Sequence, residues 1–146
     1  MNRLLAAAAF ACALSLSACS VEEEELLGDE QAEVRVAAVE TIPAADLAAR
    51  VAAGEVLLVD VRTPAEFAES RIPGALNAPL STFDPAAIPM EEGRETILYC
   101  RSSRRSGQAA EMLSEFTQGT VHHLEGGIMA WEEAGLETVA EPAPAT

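Results

Sequence analysis

The chain has 146 residues, enough for one domain and too few for two of ordinary size. It carries 24 acidic residues against nine basic ones, all arginine, for a formal net charge of −15. Phosphate backbones and anionic lipid surfaces demand dense positive charge, so no nucleic-acid partner and no basic membrane face are expected; three cysteines are too few for a disulfide scaffold.

In chain order, the first element is an address. Arg3 and the terminal amine form a short positive start, and residues 4–16 are an apolar run broken only by Ser15. The run is shorter than the roughly 20 residues of a membrane-spanning helix and suits an export signal. It ends in Leu16-Ser17-Ala18-Cys19, which resembles the bacterial lipobox. Residues 1–18 are therefore expected to be a signal peptide, and Cys19 the lipidated first residue of the mature protein. Several acyl chains anchor stably where one is marginal, so membrane contact is expected only through this anchor. Asp after the lipidated Cys marks inner-membrane retention in lipoproteins; Ser20 resembles the outer-membrane default and predicts a site in the cell envelope facing the periplasm. Residues 19–33 read as an acidic tether, because the like charges of Glu22 to Glu25 keep it solvated. Cys12 leaves with the signal and Cys19 is acylated. One thiol, Cys100, then remains in the folded part, with no internal disulfide or Cys-rich metal site available to it.

Residues 34–140 read as one α/β domain and residues 141–146, rich in Pro and Ala, as a disordered tail. Residues 34–39 suit a short strand. Pro43 pre-sets a helix whose stripe is Leu47, Val51 and Ala52 and whose stop is Gly54. Val56-Leu57-Leu58-Val59 is the continuous apolar run of a strand buried on both faces. Residues 64–68 suit a short helix, Ile72-Pro73-Gly74 a turn, and residues 75–77 a short strand. Residues 97–99 suit a second buried strand. Residues 106–116 suit a helix with Ala109, Ala110, Met112, Leu113 and Phe116 on one face. Residues 121–124 suit a last strand; Gly126-Gly127 turns the chain into a final helix over 128–134. Strands alternating with helices predict a largely parallel sheet covered on both sides.

Cys100-Arg101-Ser102-Ser103-Arg104-Arg105 falls between the strand ending at Tyr99 and the helix expected from Ser106. That is the carboxyl end of a strand, where open α/β sheets place ligands. Backbone N–H groups of such a loop and the next helix N-terminus converge into an anion cradle, which also favours thiolate over thiol at Cys100. Three arginines within five residues oppose the acidity of the rest of the chain and point to an anionic substrate. Trp131 reads as a core anchor. His122 and His123 are adjacent on a strand and face opposite sides, which excludes joint chelation of a metal and leaves one half-buried and one exposed.

Four ordered motifs carry a resemblance. Val56 to Phe67 (VLLVDVRTPAEF), Arg71 to Asn77 (RIPGALN), Tyr99 to Ser106 (YCRSSRRS) and Leu124 to Trp131 (LEGGIMAW) together resemble the signatures of rhodanese domains across roughly residues 35–140. The resemblance implies a five-stranded, mainly parallel sheet flanked by helices on both faces. It implies a sulfurtransferase in which Cys100 carries sulfane sulfur as a persulfide. Arg101, Ser102, Ser103, Arg104, Arg105 and Ser106 would bind a small anionic donor such as thiosulfate, and cyanide or a thiol would accept the sulfur. It implies a partly structural task for Asp60, Arg62 and Glu66, and a reaction that needs no metal or organic cofactor. A monomer is expected. Two positions depart from the family pattern: Ser103 stands where Gly is frequent, and Arg71 where His is common, so that Arg71 either adds positive potential at the site mouth or points to solvent. Among the arginines, Arg105 is expected to be the direct ligand and Arg101 a steering charge.

Two other functions share the scaffold. A phosphatase or arsenate reductase would use Cys-x5-Arg, whereas Arg105 makes Cys-x4-Arg here, and no second thiol is available for an arsenate cycle. The other is a non-catalytic module that senses sulfide or persulfide and docks on a partner; many rhodanese domains lose the Cys in that role, and this chain keeps Cys100.

Overall fold

The computed structural model describes residues 37–141. The expected signal, the expected lipidation site Cys19, the expected tether and residues 142–146 lie outside the described residues. Strands β1 (Ala38–Ile42), β2 (Val56–Asp60), β3 (Leu76–Asn77), β4 (Glu95–Tyr99) and β5 (Thr120–Leu124) form one sheet in the order β1-β5-β4-β2-β3. Every neighbouring pair is parallel, so "mainly parallel" becomes all parallel. β4 sits at the centre and β2 is buried at every position, as its unbroken apolar run requires. Burying each such side chain contributes about 1.5–3 kcal/mol.

Helices α1 (Ala44–Ala53), α2 (Pro64–Glu69), α3 (Arg104–Thr117) and α4 (Gly127–Glu133) join the strands, with two single 3-10 turns at Leu80–Thr82 and Pro85–Ala87. One core layer packs Leu47, Ile42, Leu58, Ile97, Tyr99, Ile128 and Trp131; the other packs Val59, Leu98, Cys100, Ala109, Ala110 and Leu113. The first is lined by α1 and α4, the second by α3.

Three expectations need correction. The first strand runs over Ala38–Ile42, past the expected end at residue 39, with residues 34–36 outside the described residues, and it pairs residue for residue with β5, from Ala38 beside Thr120 to Ile42 beside Leu124. Ile42 precedes Pro43, and a residue before proline is pushed into extended backbone, so the strand runs up to the proline. On α1, Ala44, Ala48 and Val51 join Leu47 against the core, whereas Ala52, five residues on and well round the helix, is exposed. On α3, Met112 and Phe116 are 41% and 59% exposed. The buried face is instead Ser106, Ala109, Ala110, Leu113 and Ser114. The two serines enter the core because their hydroxyls donate to helix carbonyls three residues back, Ser103 O at 3.0 Å and Glu111 O at 2.9 Å.

Trp131 is buried as expected and donates through Nε1 to Glu137 O at 2.9 Å. The strand-like contact that follows ties Arg71 to Val139 by two backbone hydrogen bonds of 2.8 Å. Arg71 neither lines the site nor points freely to solvent: its guanidinium lies 4.8 Å over the Phe67 ring.

Candidate active site

The backbone leaves β4 at Tyr99 and enters α3 at Arg104, two residues earlier than expected from sequence. The loop proper is thus Cys100 to Ser103, and Arg104, Arg105 and Ser106 form the first helical turn. Their N–H groups belong to the unpaired set at a helix start. α4 engages carbonyls of the loop. Ile128 N–H donates to Cys100 O at 2.8 Å and Met129 N–H to Arg101 O at 3.3 Å. With the loop carbonyls engaged by α4, the loop amides face the sulfur.

Cys100 is 1% exposed. Burial pushes its thiol up, but the nearby Ser106 hydroxyl and the amides of Ser106, Ser102 and Arg105 favour the charged form and outweigh burial, so its pKa lies below the ordinary thiol value.

Ser103 sits at φ 80°, ψ −32°, the positive region that favours glycine. Its side chain compensates. Oγ donates to Leu124 O at 3.1 Å and accepts from Gly126 N–H at 2.7 Å, stitching the loop to the turn between β5 and α4. Ser103→Ala keeps the backbone strain and loses both bonds, and should cost about 1–3 kcal/mol. Ser103→Gly loses the bonds but relieves strain of about 1 kcal/mol, so it should unfold between the parent and the alanine variant. Urea denaturation midpoints check this order.

The arginines part company. Arg105 donates through both terminal nitrogens to the Glu66 carboxylate, at 2.9 and 2.8 Å. Arg101 and Arg104 are exposed and have no carboxylate partner among the described residues. Glu66 also completes a capping box at the start of α2, accepting from Thr63 N–H and Oγ–H while Thr63 Oγ accepts from Glu66 N–H. The bond from Arg105 comes first, and with those from Thr63 it holds the Glu66 carboxyl at about 2. A depressed carboxylate stabilises the fold above its unfolded titration range, and that contribution fades as pH falls toward about 2. Two clefts open on either side of this pair. One of about 300 Å³ is lined by Val61, Thr63, Leu80 and Arg105; the other, about 270 Å³, by Arg62, Glu66, Arg101 and Met129.

Asp60 and Arg62 are 0% and 5% exposed and bonded bidentately, Arg62 Nε donating to Oδ1 at 3.0 Å and Nη2 to Oδ2 at 2.6 Å. Arg62 Nη2 also donates to Ser70 O, and Asn77 donates to the carbonyls of Asp60 and Arg62. Tyr99, whose hydroxyl is raised by burial, accepts from Ile72 N–H at 3.2 Å. This network fixes the end of β2 beside the loop.

Sequence reasoning missed His123. His122 is half-buried between the carboxylates of Glu95 and Glu40. His123, 7% exposed on the opposite face, places Nδ1 3.1 Å from Ser106 Oγ. The available signal was parity: His123 shares its face with Val121, which packs with α3 in the core. Burial, then the neighbouring His122, lowers the His123 pKa, so the ring is neutral at physiological pH.

Comparison with known proteins follows the same geometry. The family model of the rhodanese-like domain matches residues 43–134. An uncharacterized Synechocystis sp. protein, slr1261, is 49% identical over 84 residues; the match covers 58% of this chain and 47% of that protein, so the chain spans about half its length. A sulfurtransferase of Allochromatium vinosum is 44% identical over 86 residues, covering 59% of this chain and 80% of that one. Thiosulfate sulfurtransferase PspE of Escherichia coli is 34% identical over 86 residues, covering 58% and 74%. A solved rhodanese-related protein of Thermoplasma volcanium superposes with TM-score 0.60 at 30% identity, covering 70% of this chain and 99% of that one.

Proposed function

Because the chain belongs to the rhodanese-like domain family, we propose that it is a sulfurtransferase working through a Cys100 persulfide. The observation that carries this reading is the buried Cys100 at the carboxyl end of the central strand, its pKa lowered by the Ser106 hydroxyl and by the amides of Ser102 in the loop and Arg105 and Ser106 in the first turn of α3. The Cys100 thiolate attacks the outer sulfur of an anionic donor such as thiosulfate. The donor's S–S bond breaks, sulfite leaves with the bonding pair, and the sulfane sulfur stays on Cys100. Cyanide or a thiolate then attacks that outer sulfur, and Cys100 departs as thiolate. This is covalent, two-step catalysis. The donors that hold the thiolate also stabilise the negative charge of the persulfide. The test uses the chain from residue 20 onward, which holds the described residues 37–141 and a single thiol. Thiosulfate should raise its intact mass by one sulfur atom, and cyanide should return it to the starting mass while thiocyanate appears. No added mass would overturn the reading.

The arginines supply the donor's counter-charge in this scheme. Arg105, fixed by Glu66, keeps Nε–H and its remaining N–H groups for a ligand. A charge-assisted bond contributes about 1.5–3 kcal/mol, so Arg105→Ala should lower kcat/KM for charging on the order of tenfold to a hundredfold. Arg101→Ala and Arg104→Ala should lower it less, and their effect should vanish as salt rises. Discharge to cyanide should change least. If all three variants charge at the parent rate, the amides alone hold the donor.

The same proposal places the protein in the cell envelope through Cys19, on the strength of Leu16-Ser17-Ala18-Cys19 after an apolar run. Expressed in a bacterium, the full chain should partition into detergent and Cys19→Ala should not. Equal partitioning would leave a plain secreted protein.

A further inference from the structure

We propose that His123 is a positioning residue for Cys100, acting through the hydroxyl of Ser106; the inference deepens the sulfurtransferase reading and rests on it. Ser106 is fully buried, its oxygen lies 3.0 Å from the Ser103 carbonyl and 3.1 Å from His123 Nδ1, and its hydroxyl is among the groups that favour the charged form of Cys100. A serine hydroxyl has one proton to donate. A carbonyl oxygen and a thiolate can only accept. If Nδ1 were also a bare acceptor, three acceptors would compete for that proton and His123 would draw it away from the sulfur. With the imidazole proton on Nδ1, His123 donates to Ser106 Oγ, and the hydroxyl proton stays on the side of Ser103 O and Cys100.

That leaves a choice between two acceptors, and the charge on sulfur decides it. A bond to an ionised acceptor is about twice as strong as one between neutral groups. The Ser103 carbonyl also accepts Gly107 N–H at 2.8 Å, so it is not orphaned when the hydroxyl turns away. Ser106 therefore donates to Ser103 O while Cys100 is a thiol, and swings to sulfur when Cys100 is thiolate or persulfide anion. His123 pins the oxygen about which the proton turns. Ser106 and Gly107 of α3 pack against the ring; Thr41 and Leu98 are its partners on the neighbouring strands, and none of these four is charged.

The chain from residue 20 onward serves for the test, with Cys100 as its single thiol. Nitrogen NMR of the parent should find the His123 proton on Nδ1; a proton on Nε2 with bare Nδ1 would overturn the proposal without any variant. His123→Leu should leave about threefold to tenfold less thiolate at a pH below the Cys100 midpoint, read by ultraviolet absorbance, and slow charging by thiosulfate to the same degree. His123→Asn, which keeps an N–H donor, should recover most of both. In a Ser106→Ala background, His123→Leu should add nothing further. Leucine and asparagine variants equally impaired, or a leucine effect undiminished without the Ser106 hydroxyl, would overturn it. A parent that never takes up sulfur would sink the sulfurtransferase reading, while the thiolate titration and the NMR would still decide the role of His123.

Discussion

Cys100→Ser should fold like the parent and take up no sulfur from thiosulfate. Cys100 is 1% exposed and its sulfur is surrounded by N–H and O–H donors. A serine hydroxyl is smaller and finds those same donors, so the unfolding midpoint should move by about 1 kcal/mol or less. The chemistry does not survive. An alcohol is not ionised near neutral pH, and oxygen in its place forms no persulfide. Loss of the nucleophile in a covalent mechanism costs on the order of 10⁴-fold or more. Intact mass after thiosulfate should be unchanged, and no thiocyanate should follow on adding cyanide. Continued turnover by this variant would move the chemistry away from Cys100.

What the sequence disclosed, and what it hid, follows from the range of the forces involved. β2 was legible because four consecutive apolar residues have only one comfortable place, the middle of a parallel sheet. The site loop was legible for a similar reason: its chemistry is concentrated in one segment, Cys100 to Ser106. The register of β1 was not, because β5, some eighty residues away, selects it. The inner face of α3 was misjudged because hydrophobicity puts Phe116 ahead of Ser106. Close packing and a carbonyl three residues back reverse that order for a small hydroxyl. The partners of the site residues were the least legible. Glu66 lies 39 residues before Arg105, and His123 lies 17 after Ser106. No local pattern marks either pair; the parallel crossovers bring them together.

Gly127→Ala should damage the reaction as well as the fold, although residue 127 touches no substrate. A Cβ at this position would fall 2.4 Å from Arg101 C, 2.5 Å from Arg101 O and 2.5 Å from Cys100 O. All three are backbone atoms, so no side chain can swing aside. The φ of 61° adds a second penalty of about 1–2 kcal/mol for any L side chain. Either α4 or the loop must retreat. α4 is held by Ile128 and Trp131, both buried in the core between sheet and helix. The loop is held on this side by hydrogen bonds, from Ile128 N–H to Cys100 O at 2.8 Å, from Met129 N–H to Arg101 O at 3.3 Å, and through Ser103 Oγ to Leu124 O and Gly126 N–H. The loop therefore gives way, and with it the amides of Ser102, Arg105 and Ser106 that surround the sulfur. A displacement of about 1 Å in a positioned group costs on the order of a hundredfold in rate. Stability should fall by about 2–4 kcal/mol, from the φ penalty and residual overpacking. Gly135→Ala is the matched control: φ is 72° there too, but nothing lies within 4 Å of the added carbon. It should lose stability through φ alone and charge with thiosulfate at the parent rate. Charging rates and urea midpoints for the two variants separate loop displacement from general destabilisation. A Gly127→Ala protein that charges as fast as its Gly135→Ala counterpart would mean that the contact between α4 and the loop carbonyls does not set the position of the cradle.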